Sequence, residues 1–224
     1  LSACSSPKHE PMPLVKFTPS MEVTEVWSKG LSSAEGFLVP AVYDDMVFAA
    51  GGKTLTRLNA RTGETEWSVS FNSPITGGVG SDGYVTAVGL WDGNLEVVDA
   101  EGKVSWEKKL TTELASPPVV SHGLVIARTM DTRVSAFEAS SGELQWTYQR
   151  SQPALTVRLP TRMLAHDNFL LVGQPNGHIV ILDIASGKPM FEFQVAQAKG
   201  VTEVERLVDV VGAPAFSDNL VCAA

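Results

Sequence analysis

The stretch "NARTGETEW", residues 59–67, places a tight Thr62-Gly63 turn four residues ahead of Trp67. Related stretches follow as "DAEGKVSW" (99–106), "EASSGELQW" (138–146) and, with Phe in place of Trp, "DIASGKPMF" (183–191). The turn glycines are Gly63, Gly102, Gly142 and Gly187, spaced by 39, 40 and 45 residues. Each is followed four residues later by a ring: Trp67, Trp106, Trp146 and Phe191. A fixed period of this length marks a repeat architecture.

Two further turns recur in each repeat. One pairs Asp or His with a residue tolerant of positive φ: Asp44-Asp45, Asp82-Gly83, His122-Gly123, Asp167-Asn168 and Asp218-Asn219. The other is "GGK" (51–53), "WDGN" (91–94), "MDTR" (130–133) and "PNGH" (175–178). Between the turns run short apolar segments such as "MVFAA" (46–50), "LVIAR" (124–128), "TLTRLN" (54–59) and "IVILDI" (179–184). With a first strand ahead of each Asp/His turn, the pattern predicts four antiparallel strands per repeat, one propeller blade.

The fold class expected is therefore all-β, a β-propeller with four blades over 38–195 and the first hairpin of a fifth in "PAFSDNLVCAA" (214–224). In this reading the aromatic fills the gap between adjacent blades. Trp27 lies 40 residues before Trp67 and reads as an outer strand whose own blade is missing upstream. An open ring leaves unpaired edges, so the chain is expected to be a fragment of a longer protein. The best helical candidate is "AKGVTEVERLVDVV" (198–211), for a turn or two.

With 44% hydrophobic and 19% charged residues in 224, the chain can build a core. A net charge of −8 opposes a phosphate backbone, so nucleic acid is not an expected partner. Cys222, in the apolar run "NLVCAA", reads as a small buried residue. Cys4 stands in "LSAC", which resembles the lipobox of bacterial lipoproteins. On that resemblance residues 1–3 are a signal-peptide remnant and Cys4 is the lipid attachment site. Residues 4–21, with Pro7, Pro11, Pro13 and Pro19, form an extended tether, and 22–224 the partial propeller. Ser5 after the cysteine resembles an outer-membrane sorting signal, with the anchor on the periplasmic face.

No catalytic residue or metal ligand is expected. The four histidines lack ligand spacing, and His122 occupies the turn column otherwise held by aspartates. The repeat resembles that of pyrroloquinoline-quinone dehydrogenases, which are eight-bladed propellers. That resemblance implies a calcium site, a catalytic Asp and an adjacent cysteine pair, none of which is recognisable, so no cofactor is expected. WD40 proteins are a weaker match, because "WDG" (91–93) sits in an inner turn.

Lipobox, tether and quinoprotein-like blades together resemble the BamB family, lipoprotein scaffolds of the machinery that folds β-barrels into the bacterial outer membrane. Two connections that the bare repeat does not explain carry the resemblance most specifically. "QPALTVRLPTR" (152–162) resembles the family's Leu-x-Leu-Arg loop, and "AQAKGVTEVERLVDVVGAP" (196–214) resembles its Gln-Ala-x-Gly-x-Thr-Glu segment. The resemblance implies an eight-bladed complete protein, no enzymatic activity, and binding to a periplasmic POTRA domain of BamA alongside other members of the BAM complex. Contact residues carried over by position are Leu155, Val157, Arg158 and Asp209; the second aspartate of the family's Asp-x-Asp pair is Val211 here. Leu155 and Val157 alternate with Thr156, so an extended segment turns both to one side, with Arg158 at its rim. Capture of unfolded outer-membrane strands along open sheet edges has no residue signature.

Overall fold

A computed structural model describes residues 20–32, 38–150, 162–197, 199, 201–202, 207–210, 212–217 and 220–222. Four antiparallel four-stranded sheets follow one another in the order of the chain. The first is β1 (Ala41–Tyr43), β2 (Met46–Gly51), β3 (Thr54–Asn59) and β4 (Thr65–Ser70). The second is β5 (Ile75–Ser81), β6 (Thr86–Leu90), β7 (Asn94–Val98) and β8 (Val104–Lys109). The third is β9 (Val119–Ser121), β10 (Leu124–Arg128), β11 (Val134–Glu138) and β12 (Leu144–Tyr148). The fourth is β13 (Leu164–His166), β14 (Phe169–Gln174), β15 (His178–Asp183) and β16 (Pro189–Gln194), and a hairpin of β17 (Ala215–Ser217) and β18 (Leu220–Cys222) follows.

The cores lie between the sheets. Strands alternate their side chains with period two, so a middle strand covered on both faces reads as continuous apolar sequence. All of β6, "TAVGL", is buried. Phe48 and Leu55 of the first sheet pack with Ile75, Val88 and Val98 of the second. Leu95 and Val97 turn the other way, onto Val125 and Phe137 of the third. Ile126, Val134 and Trp146 of the third sheet meet Leu170, Val180 and Ile184 of the fourth. Sheets stacked face to face in sequence are the blades of a propeller, as the repeat predicts.

The docking partner of each tryptophan that follows a Gly turn is the turn of the following blade. The indole Nε1–H of Trp67 donates to the Ala100 carbonyl at 2.9 Å, that of Trp106 to Ala139 at 2.8 Å, and that of Trp146 to Ile184 at 2.8 Å. Trp27 does the same to Ala60 at 2.9 Å, so its segment lies against the first blade. The turn glycine is needed twice over. Gly142 has φ +71°, and a Cβ on it would lie 2.7 Å from the Trp106 ring. Gly102 has φ +80° and stands in the same relation to Trp67.

A second regularity is not visible in the spacing. In every blade the pairing between the third and fourth strands slips beside the aromatic: Arg57 pairs with Trp67 but Leu58 with Thr65, and Val97 pairs with Trp106 but Val98 with Val104. The same slip occurs at Ala136/Phe137 and at Ile181/Leu182. Glu66, Ser105, Gln145 and Met190 are the extra residues, and each bulge lies immediately before the ring it turns toward the next blade.

The first-turn column behaves as expected, with positive φ at Asp44, His122 and Asp167. Asp218-Asn219 lies outside the described residues. Two expectations need correction or restriction. Cys222 is exposed, because β17 and β18 pair only with each other among the described residues. Within 198–211, residues 207–210 carry no helix, and hydrogen bonds tie Asp209 and Val210 to the fourth blade; most of the remainder lies outside the described residues.

One buried acid in the second blade has a consequence for stability. Glu96 of β7 is 7% exposed and sits opposite Glu107 of β8. Burial, with the neighbouring carboxylates of Glu107 and Asp92, pushes its carboxyl up to about 7 from 4.5. Ionisation therefore costs the folded state more than the unfolded one. The stability is present below the unfolded value and lost as pH rises through the folded one. Thermal melts should show the melting temperature falling between about pH 4.5 and about pH 7, and Glu96→Gln should flatten that fall.

Candidate partner-binding end of the propeller

The chain order places two kinds of turn at opposite ends of the blades. Hairpins between first and second strands share one end with the Gly turns. The hairpins between second and third strands share the other end with the blade-to-blade connections. Those connections are stitched onto the hairpins by backbone hydrogen bonds. Phe71 N–H donates to Lys53 O at 2.9 Å, Leu110 N–H to Gly93 O at 3.0 Å, and Ala115 N–H to Arg128 O at 2.8 Å. Leu114 fills the space left by Gly77, where a Cβ would lie 2.6 Å from its own. A cleft of about 360 Å³ opens here, lined by Trp91, Lys109, Glu113 and Met130, with Trp91 64% exposed.

The residues singled out in the sequence fall unequally on this end. Leu155, Val157 and Arg158 lie outside the described residues, as does Cys4. Asp209 is half-buried. Its Oδ1 accepts the Asn176 N–H at 3.1 Å, and the next residue, Val210, donates its N–H to the Gln174 carbonyl at 3.3 Å. A Cβ on Gly173 would fall 2.7 Å from the Val210 carbonyl, so glycine lets the connection lie flat on β14. The charge of Asp209 also acts on the guanidinium of Arg128, which is 4% exposed. Burial pulls Arg128 down to about 10, and the Asp209 charge opposes that fall. Asp209 thus has a structural task in its own chain as well as an edge toward solvent.

Sequence reasoning did not find the polar cluster around the fourth blade. Glu192 of β16 accepts from Arg150, the residue that ends the described part of the third blade, and its Oε1 lies 2.8 Å from His178 Nδ1. Arg150 is the main cause holding the Glu192 carboxyl below its usual range. Burial raises Tyr148 beside this pair. The residues 150, 178 and 192 are far apart in sequence, and no spacing rule joins them.

The histidines serve separate local structures. His122 Nδ1 is 2.8 Å from Ser121 Oγ in its turn, His166 lies against Phe216 with the rings tilted and centroids 4.1 Å apart, and His178 belongs to the Glu192 cluster. Among the described residues no three His, Cys, Asp or Glu side chains gather as metal ligands would. On the outer face of the fourth blade, Phe191 is 55% exposed where Trp146 of the third is 8% exposed. A cavity of about 650 Å³ lies there, bounded by Phe169, Leu171, Ile181 and Phe191 of the blade and Phe216 and Val221 of the hairpin.

Comparison with known proteins agrees with this architecture. A family profile described as outer membrane protein assembly factor BamB matches residues 51–224. The BamB protein of Burkholderia pseudomallei is 39% identical over 99% of this chain, and the chain spans 60% of that relative's length. The crystal structure of BamB from Moraxella catarrhalis superimposes with a TM-score of 0.75 at 29% identity, covering 84% of this chain and 57% of that one. A quinohemoprotein alcohol dehydrogenase from Pseudomonas putida shares the fold alone, with a TM-score of 0.59 at 18% identity over 73% of this chain and 34% of that one. With four stacked blades and a family match running from the first blade through the second long connection, this chain belongs to the BamB family of outer membrane protein assembly factors.

Proposed function

We propose that the chain is the propeller part of a non-enzymatic scaffold lipoprotein that helps fold and insert outer-membrane proteins as a member of the BAM complex. In this reading Cys4 carries the lipid, the residues up to 21 form a tether, and the propeller stands at the periplasmic face of the outer membrane. A lipid chain gains about 0.8 kcal/mol per buried CH₂, and more than one chain is needed for stable anchoring, as a multiply acylated cysteine provides. Its direct partner is a periplasmic POTRA domain of BamA.

The observation that carries the reading is that the third and fourth blades, which the two long connections follow, end their last strands on the same end of a blade stack whose family is BamB. Connections at the end of a rigid scaffold are where binding residues concentrate. Leu155 and Val157 supply an apolar patch and Arg158 a directional donor at its rim, the composition of a protein-binding anchor. Trp91 on the same end adds an exposed ring to that surface.

The test is capture of BamA's purified periplasmic region by the whole protein. Leu155→Ala and Arg158→Ala should each weaken capture by roughly 5- to 100-fold, the range of a moderate anchor residue, while circular dichroism stays unchanged. Lost β signal in either variant would assign that side chain to the fold instead. Absence of capture by the wild-type protein would reject the partner.

A further inference from the structure

Four of the five tryptophans are used inside the fold: Trp27, Trp67, Trp106 and Trp146 each donate an indole N–H to a carbonyl at a Gly turn. Trp91 is the exception. It opens the hairpin between β6 and β7, is 64% exposed, and lies on no turn glycine. Its backbone is nonetheless fixed. The Trp91 N–H donates to the Pro74 carbonyl at 2.8 Å, and the Gly93 N–H closes the turn on the Leu90 carbonyl at 2.9 Å. A ring held on such a mount loses little further freedom when it enters a contact. The position recurs. Two residues before the positive-φ residues Gly93, Thr132 and Gly177 stand Trp91, Met130 and Pro175, so three consecutive blades carry a non-polar side chain at this end. The row leads to Asn176, the residue that Asp209 caps.

We propose that the cleft between Trp91 and Met130 is a second contact for the periplasmic partner, taking a basic segment whose arginine or lysine lies over the Trp91 ring with its charge toward Asp92 and Glu113. The proposal rests on the partner reading given above and adds the charge of the occupant. The lining of the cleft decides that charge. It includes Asp92 and Glu113, and neither forms an ion pair among the described residues. The ammonium in the lining, that of Lys109, donates to the Asp92 carbonyl instead. An indole face attracts a cation through its quadrupole, and the two carboxylates pull in the same sense. The apolar stem of an arginine or lysine meanwhile covers ring and Met130. An uncharged apolar segment would strip water from both carboxylates and return nothing to them.

Affinity of the whole protein for BamA's purified periplasmic region tests this, measured at low and high salt for the wild type, Trp91→Ala, Trp91→Phe and Glu113→Gln, with melting temperature alongside. Trp91→Ala should bind roughly 5- to 50-fold more weakly, the loss of an aromatic anchor. Trp91→Phe should recover part of that affinity, because a ring face remains. Glu113→Gln should bind roughly 2- to 5-fold more weakly at low salt and match the wild type at high salt, where screening removes the attraction it lost. Each variant should melt within about 3 °C of the wild type, as surface substitutions do. Wild-type affinity in Trp91→Ala overturns the contact and leaves the partner reading standing. A loss in Trp91→Ala with Glu113→Gln unchanged at low salt overturns the basic occupant. Affinity lost in proportion to melting temperature overturns the proposal too, because the ring would then act on the fold. No binding by the wild type at either salt overturns the partner reading, and this contact with it.

Discussion

Trp146→Ala should cost about 3–5 kcal/mol of unfolding free energy, the range for removing a buried ring from a core. Trp146 is 8% exposed and shares a cluster with Ile126, Leu170 and Ile184, so it wedges the third blade against the fourth. Its truncation removes both the ring and the hydrogen bond to the Ile184 carbonyl. Trp146→Phe keeps most of the ring and loses the donor, at a cost of about 1–2 kcal/mol. The difference between the two variants separates wedging from latching. Urea unfolding of the purified protein measures both. A loss below about 1 kcal/mol for the alanine variant would mean that the blades hold together without the indole.

Asp209→Ala is expected to destabilise the protein by about 1–3 kcal/mol, the cost of leaving the Asn176 N–H and the buried Arg128 charge less well satisfied. The substitution removes the charge that acts on Arg128 and the acceptor of the Asn176 N–H. Arg128→Met removes the buried charge itself. The double variant should therefore lose less than the sum of the single losses, which unfolding measurements on all three would show. The result bears on the interpretation of binding data. If Asp209→Ala unfolds like the wild type yet captures the partner poorly, Asp209 is a surface contact; if it melts early, its effect on binding comes through the connection it seats.

Much of the blade was legible in the sequence because its determinants are local. A hairpin turn needs residues that accept positive φ, and Asp44, His122 and Asp167 stand where that was expected. A strand covered on both faces needs a short apolar run, and "LVIAR" became β10 without change of boundary. Boundaries were less legible where chemistry was ambiguous: "YVTAV" (84–88), which by its apolar run reads as the strand after the Asp82-Gly83 turn, begins in that turn, and the strand runs from Thr86 to Leu90. Tyr84 is instead held in the turn by the Asp82 carboxylate, which accepts its N–H at 3.0 Å. Among candidate site residues, Asp209 could be named by resemblance, but its seat could not. Nothing in "RLVDVV" announces that the carboxylate will cap Asn176 or that its charge will act on Arg128 of the third blade.

The sequence by itself determined the repeat, the strand count per blade and the need for glycine at the sharp bend. These follow from backbone sterics and from an apolar period, which are properties of neighbouring residues. Only the tertiary structure decided which turn each tryptophan meets. Gly63 precedes Trp67 by four residues, yet it receives Trp27, while Trp67 crosses to Gly102 in the next blade. The bulge before each ring rotates it off its own sheet, and the face-to-face stacking of blades brings a distant glycine under it. Spacing records how often a ring and a bend occur together; the packing of one sheet on the next determines which ring and which bend touch.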